Sequence, residues 1–148
     1  MYVDTSVWVA LVTRETTTQA VREFLSATAG VTYSEWCGTE VASALAMKVR
    51  KGELQVVTAT QAWRDYRNAA SVVGRELPIP RGAWRHAAQL CLEEPGRGLR
   101  AGDALHLAIA SLTGQPGLAT SDAVLAAAAT AIGLEVSLLT RRPRTPLG

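Results

Sequence analysis

Gly102-Asp103-Ala104-Leu105-His106-Leu107-Ala108-Ile109-Ala110 puts an aspartate where a glycine-containing loop turns into a strongly apolar helix. A carboxylate in that place accepts hydrogen bonds from the unpaired N–H groups of a helix's first turn, so Asp103 taken alone reads as an N-cap. Whether it means more depends on other acids at equivalent places, and the chain has two. Tyr2-Val3 reads as a short buried strand running into Asp4-Thr5-Ser6, followed by an apolar helix from Val7 to Val12. Gly117-Leu118-Ala119 runs in the same way into Thr120-Ser121-Asp122, and an alanine-rich helix follows from Ala123 to Ile132 until Gly133 stops it. The repeated pattern is strand, acid, helix.

Between these segments the chain keeps alternating. Thr16 to Thr28 carries Ala20, Val21, Phe24 and Leu25 at helical spacing, Gly30 ends it, and Val31-Thr32-Tyr33 is a strand. A long helix runs from Ser34 to Gly52, and its basic last turn suits the helix dipole. Glu40 lies inside it, on a stripe with Trp36, Ala44, Met47 and Lys51, an unusual neighbourhood for a merely solvated glutamate. Thr58 to Val73 is an amphipathic helix with Asp65 on its wet side, Leu77-Pro78-Ile79-Pro80 is an extended edge segment, and Arg81 to Glu94 is helical. Pro95-Gly96-Arg97-Gly98 breaks that helix, and Glu135-Val136-Ser137-Leu138 is the last strand. Strands alternating with helices predict a three-layer α/β/α domain around a mostly parallel sheet, with ligands at the strands' carboxyl ends. Neither a repeat nor a linker divides the chain, so residues 1–148 are expected to form one domain, with an irregular basic tail over residues 141–148.

At 148 residues a chain builds a real core without staples. Cys37 and Cys91 sit far apart in apolar patterns without metal-ligand spacing, and are read as small buried hydrophobes in a reducing compartment. The start of the chain lacks a secretory signal and no apolar run reaches spanning length, so the expected location is cytoplasmic, with no membrane partner. A net charge of +2 is too small to announce a dedicated nucleic-acid binder. Its distribution says more. Aspartate occurs only at Asp4, Asp65, Asp103 and Asp122, whereas basic residues gather at 48–51, 97–100 and 141–144.

Asp4 and Asp122 end strands, Asp103 starts a helix, and Glu40 lies one to two turns into another. On one rim they would repel severely, since two carboxylates about 4 Å apart cost roughly 4 kcal/mol at an effective dielectric of 20. Protonation or a divalent cation relieves this. Oxygen ligands without a His or Cys set favour Mg²⁺ or Mn²⁺, which suits phosphate chemistry because such an ion activates water and neutralises phosphoryl charge.

Asp4-Thr5-Ser6, Glu40-Val41-Ala42-Ser43-Ala44-Leu45, Asp103-Ala104-Leu105-His106-Leu107-Ala108 and Thr120-Ser121-Asp122 resemble the four acidic motifs of PIN-domain ribonucleases, specifically the VapC-type toxins of bacterial toxin–antitoxin pairs. The DALHLA segment followed by a T-x-D turn is the most specific part of the match. The resemblance implies a five-stranded parallel sheet, Mg²⁺- or Mn²⁺-dependent cleavage of RNA, homodimerisation and neutralisation by a cognate VapB-type antitoxin. Carried over by motif position, Asp4, Asp103, Glu40 and Asp122 are the metal-holding and catalytic acids, with Ser6 and Thr120 as supporting polar residues. Ser121 inside the T-x-D turn and bulky Trp36 one turn before Glu40 depart slightly from the pattern.

Other features have plainer readings. His106 lies among Leu105, Leu107 and Ile109 and is read as packed or hydrogen-bonded rather than catalytic. Trp36 is read as core or dimer packing rather than a base-stacking platform. Arg97 and Arg100, whose loop leads to Asp103, and Lys51 are the RNA-contact candidates, alongside Lys48 and Arg50. A non-catalytic PIN-like module that binds RNA or protein is the alternative, and loss of an acid would be its sign. A phosphotransfer domain would need an aspartate two residues after Asp4, where Ser6 stands.

Overall fold

The computed structural model describes residues 1–93 and 98–140. Its elements are β1 (Tyr2–Val3), α1 (Thr5–Val12), α2 (Thr18–Ala27), β2 (Val31–Ser34), α3 (Glu35–Arg50), α4 (Val56–Val73), β3 (Gly74–Leu77), α5 (Ala83–Glu93), α6 (Ala101–Leu112), β4 (Gly117–Thr120), α7 (Ala123–Ala131) and β5 (Glu135–Leu138). The five strands form one sheet in the order β3-β2-β1-β4-β5, and every pairing is parallel. The chain builds outward from β1 through β2 to β3, then crosses to the other side for β4 and β5. That reversal makes the β1/β4 boundary a topological switch point, where a crevice opens beyond the strand ends.

Successive strand residues face opposite sides of a sheet, and the two residues of β1 accordingly serve two cores. Val3 enters one with Val7, Trp8, Val21, Leu25, Val41, Leu45 and Tyr66, from α1 to α4. Tyr2 enters the other, with Leu90, Leu105, Ile109 and Leu125 from α5 to α7. The result is the expected three layers. The two cysteines fall in different cores and are free: Cys37 belongs to the first, and Cys91 packs against the second. Cys37 Sγ–H donates to the Val3 carbonyl at 3.7 Å, and burial pushes its thiol up to about 12, so it behaves as a small inert hydrophobe.

Several expected boundaries shift, and three of the shifts have a visible cause. The third strand is Gly74–Leu77, not the proline segment 77–80, because α4 passes straight into β3 at Gly74. Gly74 lies so close to β2 that a Cβ there would stand 3.2 Å from the Val31 carbonyl, and the prolines lack the N–H that a ladder needs. Ser34 stands at the N-cap of α3 without capping it, because its hydroxyl is hydrogen-bonded to Tyr2 Oη at 2.7 Å. The segment expected to start at Thr16 begins its helix at Thr18, whose hydroxyl donates to the Ala10 carbonyl at 2.6 Å. The expected basic tail and Arg97 lie outside the described residues. Among the described residues no helix is long and apolar enough to cross a membrane.

Candidate active site

Asp4 leaves the end of β1 in extended conformation (φ −81°, ψ 175°) and caps α1. Only 3% of it is exposed. Ser6 Oγ donates to its Oδ1 at 2.7 Å, the Val7 N–H to the same oxygen at 3.4 Å, and Thr120 Oγ1 to its Oδ2 at 2.8 Å. The two polar residues singled out in the sequence therefore both touch this carboxylate. They also fasten the neighbouring turn, since Ser6 Oγ accepts from Ser121 N–H at 2.8 Å and Thr120 Oγ1 from Asp122 N–H at 2.9 Å. Burial pushes the Asp4 carboxyl up from its ordinary value, against the pull of His106 and the three donors.

Asp122 caps α7, its Oδ1 accepting from the Val124 and Leu125 N–H groups at 2.7 and 3.2 Å. Asp103 does not cap its helix. Arg100 holds the N-cap position of α6, and Asp103 lies in the first turn, where the dipole still favours a negative charge. Arg100 Nε stands 3.8 Å from its Oδ2. Burial and then the neighbouring Asp122 charge raise the Asp103 carboxyl, Arg100 and His106 lower it, and Glu40 raises it again. Asp103 thus feels the charges of both Asp122 and Glu40.

Glu40 leans from α3 toward α6. Its Oε2 accepts from Thr5 Oγ1 at 2.5 Å and lies 2.7 Å from His106 Nε2. Burial opposes its charge, but the bond and attraction from His106, with help from Thr5 and Trp36, hold the carboxyl below the usual value. Its Oε1 lies over Gly102, where an added Cβ would come within 2.5 Å. Trp36, four residues before Glu40, packs edge-on against exposed Trp84 at 6.1 Å, and its shielded indole N–H favours the Glu40 charge from beside Gly102 without meeting hydrogen-bond geometry.

Asp4, Glu40, Asp103 and Asp122 line one cleft of about 400 Å³ with Thr5, Ser6, Ser43, Met47, Arg50, Arg100 and His106. Of the basic candidates, Arg50 and Arg100 border this cleft. Lys51, the C-cap of α3, does not, and Lys48 is bridged to Glu15 and Glu53 at 3.1 and 3.4 Å. Thr5 and Tyr2 were not singled out from sequence. Only the second hydroxyl of Asp4-Thr5-Ser6 attracted notice there, and the first turns to Glu40 instead.

Among the described residues no three His, Cys, Asp or Glu side chains stand close enough to form a ready-made metal cage. The donor set is nonetheless one of hard carboxylate oxygens lining a single cleft. That fits an ion such as Mg²⁺, which keeps several waters and takes one or two carboxylates directly. The cleft suits this better than it suits a fully dehydrated ion.

A fully parallel α/β sheet with an acid-lined cleft across its switch point is the class defined so far. Residues 1–131 match the model of the PIN domain, and the chain belongs to the PIN-domain family. None of the curated proteins matches it in sequence. Among solved structures it resembles Mycobacterium tuberculosis VapC20, a sarcin-ricin loop cleaving toxin, at 19% identity and TM-score 0.69, covering 95% of this chain and 98% of that one. PAE2754 from Pyrobaculum aerophilum is similar at 20% identity and TM-score 0.65, covering 91% and 81%. VapBC2 from Rickettsia felis, bound to a DNA fragment from its promoter, is similar at 12% identity and TM-score 0.65, covering 94% and 98%. At these identities the likeness shows the fold.

Proposed function

We propose that this PIN domain is a metal-dependent endoribonuclease and the toxin of a toxin–antitoxin pair. The observation that carries the reading is the meeting of Asp4, Glu40, Asp103 and Asp122 in one cleft bordered by Arg50 and Arg100. Asp4, Asp103, Glu40 and Asp122 would hold Mg²⁺ or Mn²⁺, which supplies an activated water and neutralises charge developing on the phosphoryl oxygens. Ser6, Thr120 and the Val7 N–H keep Asp4 in one orientation. The guanidinium groups of Arg50 and Arg100 draw the RNA backbone across the cleft, and Arg97 is assigned the same role through its place in sequence.

A VapB-type antitoxin is the proposed partner, and the cytoplasm the proposed place of action, with this chain acting as a homodimer. An apolar groove of about 490 Å³ between α3 and α4, lined by Leu45, Val49, Val56, Ala59 and Trp63, supports a protein partner. Arg50 belongs to both groove and cleft, so an occupant of the groove lies beside the acids.

Induction of the chain without its partner is expected to arrest growth and to create new 5′ ends in total RNA, absent with the Asp4→Asn protein. Purified chain is expected to cut RNA with Mg²⁺ or Mn²⁺ and not in EDTA. Undiminished cleavage in EDTA sinks the metal mechanism. RNA binding without new ends favours the non-catalytic reading.

Gly102→Ala supplies a sharper local test. At an ordinary helical position this change stabilises by about 0.5–1 kcal/mol. Here the new methyl meets the Oε1 of a Glu40 already held through Oε2. Cleavage is expected to fall about tenfold, the scale of about 1.4 kcal/mol lost from the transition state, without a lower urea midpoint. Unchanged activity would mean that Glu40 works equally well in another orientation.

A further inference from the structure

The buried face of α6 carries one polar side chain that the proposed chemistry leaves unused. His106 is 1% exposed, among Leu105, Leu107 and Ile109, and both of its ring nitrogens are engaged. Nε2 meets Glu40 Oε2 at 2.7 Å and Thr5 Oγ1 at 3.1 Å. Nδ1 meets Tyr2 Oη at 2.7 Å, and that phenol meets Ser34 Oγ at the same distance. The chain Ser34–Tyr2–His106–Glu40 thus runs from the end of β2, past β1, through α6 to α3, linking four separate elements.

The chemistry of the partners orients it. An ionised carboxylate only accepts, so the hydrogen between Nε2 and Oε2 sits on the imidazole whatever the ring's charge. At Nδ1 the phenol donates to a neutral ring or accepts from a protonated one, and the Ser34 hydroxyl takes the complementary role. Either way every member is satisfied, which is the condition under which a buried polar network rigidifies its surroundings. Glu40 is thereby gripped through Oε2, while Oε1 lies beside Gly102 with the Trp36 indole N–H as its polar neighbour.

We propose that Tyr2 and His106 are positioning residues: the phenol fixes the imidazole, and the imidazole N–H holds Glu40 so that one of its oxygens is offered to the cleft cation. The inference rests on the reading of Glu40 as a metal-holding acid. Both act through Glu40, His106 by the bond from Nε2 to its carboxylate and Tyr2 by the bond to Nδ1. A partner that orients a ligating group typically changes metal affinity by about 10–100-fold when it is removed.

The test is Mn²⁺ binding by calorimetry, without RNA, on folded variants checked by circular dichroism. His106→Leu is expected to weaken binding by about 10–100-fold. His106→Gln, whose amide N–H replaces the Nε2 donor, should recover most of that loss. Tyr2→Phe should weaken binding in the natural background and have no further effect beside His106→Leu, since a leucine side chain offers the phenol neither donor nor acceptor. In ¹⁵N spectra of the unmodified protein the neutral His106 ring should carry its hydrogen on Nε2. The proposal is overturned if His106→Leu binds like the natural chain, if glutamine rescues nothing, if Tyr2→Phe costs the same in both backgrounds, or if the hydrogen sits on Nδ1. No Mn²⁺ binding by the unmodified chain is a different result: it removes the metal reading, and this inference with it.

Discussion

Asp4→Asn is expected to lower metal-dependent RNA cleavage on the order of a hundredfold to a thousandfold, while raising the melting temperature of the metal-free protein. The two effects share a cause. Asp4 is almost wholly buried at the end of β1, where desolvation penalises its charge more than Ser6, Thr120 and the Val7 N–H relieve it. Its folded pKa lies above its unfolded value, so folded protein holds the proton more readily and ionised Asp4 lowers stability as pH rises through that interval. Asparagine fills the same space uncharged. A site kept charged at a cost in stability is what function requires where a cation is to bind.

Asp103→Asn should lose activity similarly, because it lines the same cleft and its carboxylate is one of the four proposed to hold the cation. Differential scanning fluorimetry supplies the second readout. Mn²⁺ should raise the melting temperature of the natural chain, since a ligand that binds only the folded state stabilises it, and should do so weakly or not at all in either variant. Full cleavage by both variants would end the proposed mechanism.

Trp8→Ala is expected to destabilise the protein by about 3–5 kcal/mol, a large part of the 5–15 kcal/mol typical of a folded domain. Trp8 is 0% exposed and is the largest fully buried side chain, one turn after Asp4 on α1. Tyr33 of β2 and Tyr66 of α4 meet it edge-on, with centroids 5.3 and 5.8 Å away. Its truncation removes both aromatic contacts and leaves a cavity between sheet and helices that neighbours only partly fill. Trp8→Phe should cost far less, because a ring is kept and the indole N–H, which has no hydrogen-bond partner, is removed. Urea unfolding decides the matter: the alanine variant should have a lower midpoint at unchanged slope. A loss below about 1 kcal/mol would mean that this core collapses around the gap.

Much of the fold was legible because parallel strands between covering helices write a local pattern: short apolar runs, a capping acid, then helical periodicity. Asp4 and Asp122 were found this way, and both do cap their helices. Asp103 was found by the same rule for a reason that turned out wrong, since it lies inside the first turn, behind Arg100. The third strand was misplaced because residues 77–80 carried the stronger local signal, whereas Gly74 owes its strand to a close approach to Val31, a residue far away along the chain. His106 was read as packed or hydrogen-bonded, and it is both. Its partners were invisible, since no periodicity links Tyr2, Ser34, Glu40 and His106.

The sequence by itself determined the order of elements, the layers and the family, because each depends on residues near one another along the chain. It also marked the acids, since an aspartate between a strand and a helix stands out locally. Only the tertiary structure decided which basic residues face the cleft, Arg50 and Arg100 rather than Lys51, and that Glu40 is gripped through Thr5 and His106. The physical reason is the reversal of strand order at β1 and β4. It brings residues near 4, 40, 103 and 122 to one rim, and hydrogen bonds a few ångströms long then set how Asp4, Glu40 and Asp122 are oriented there.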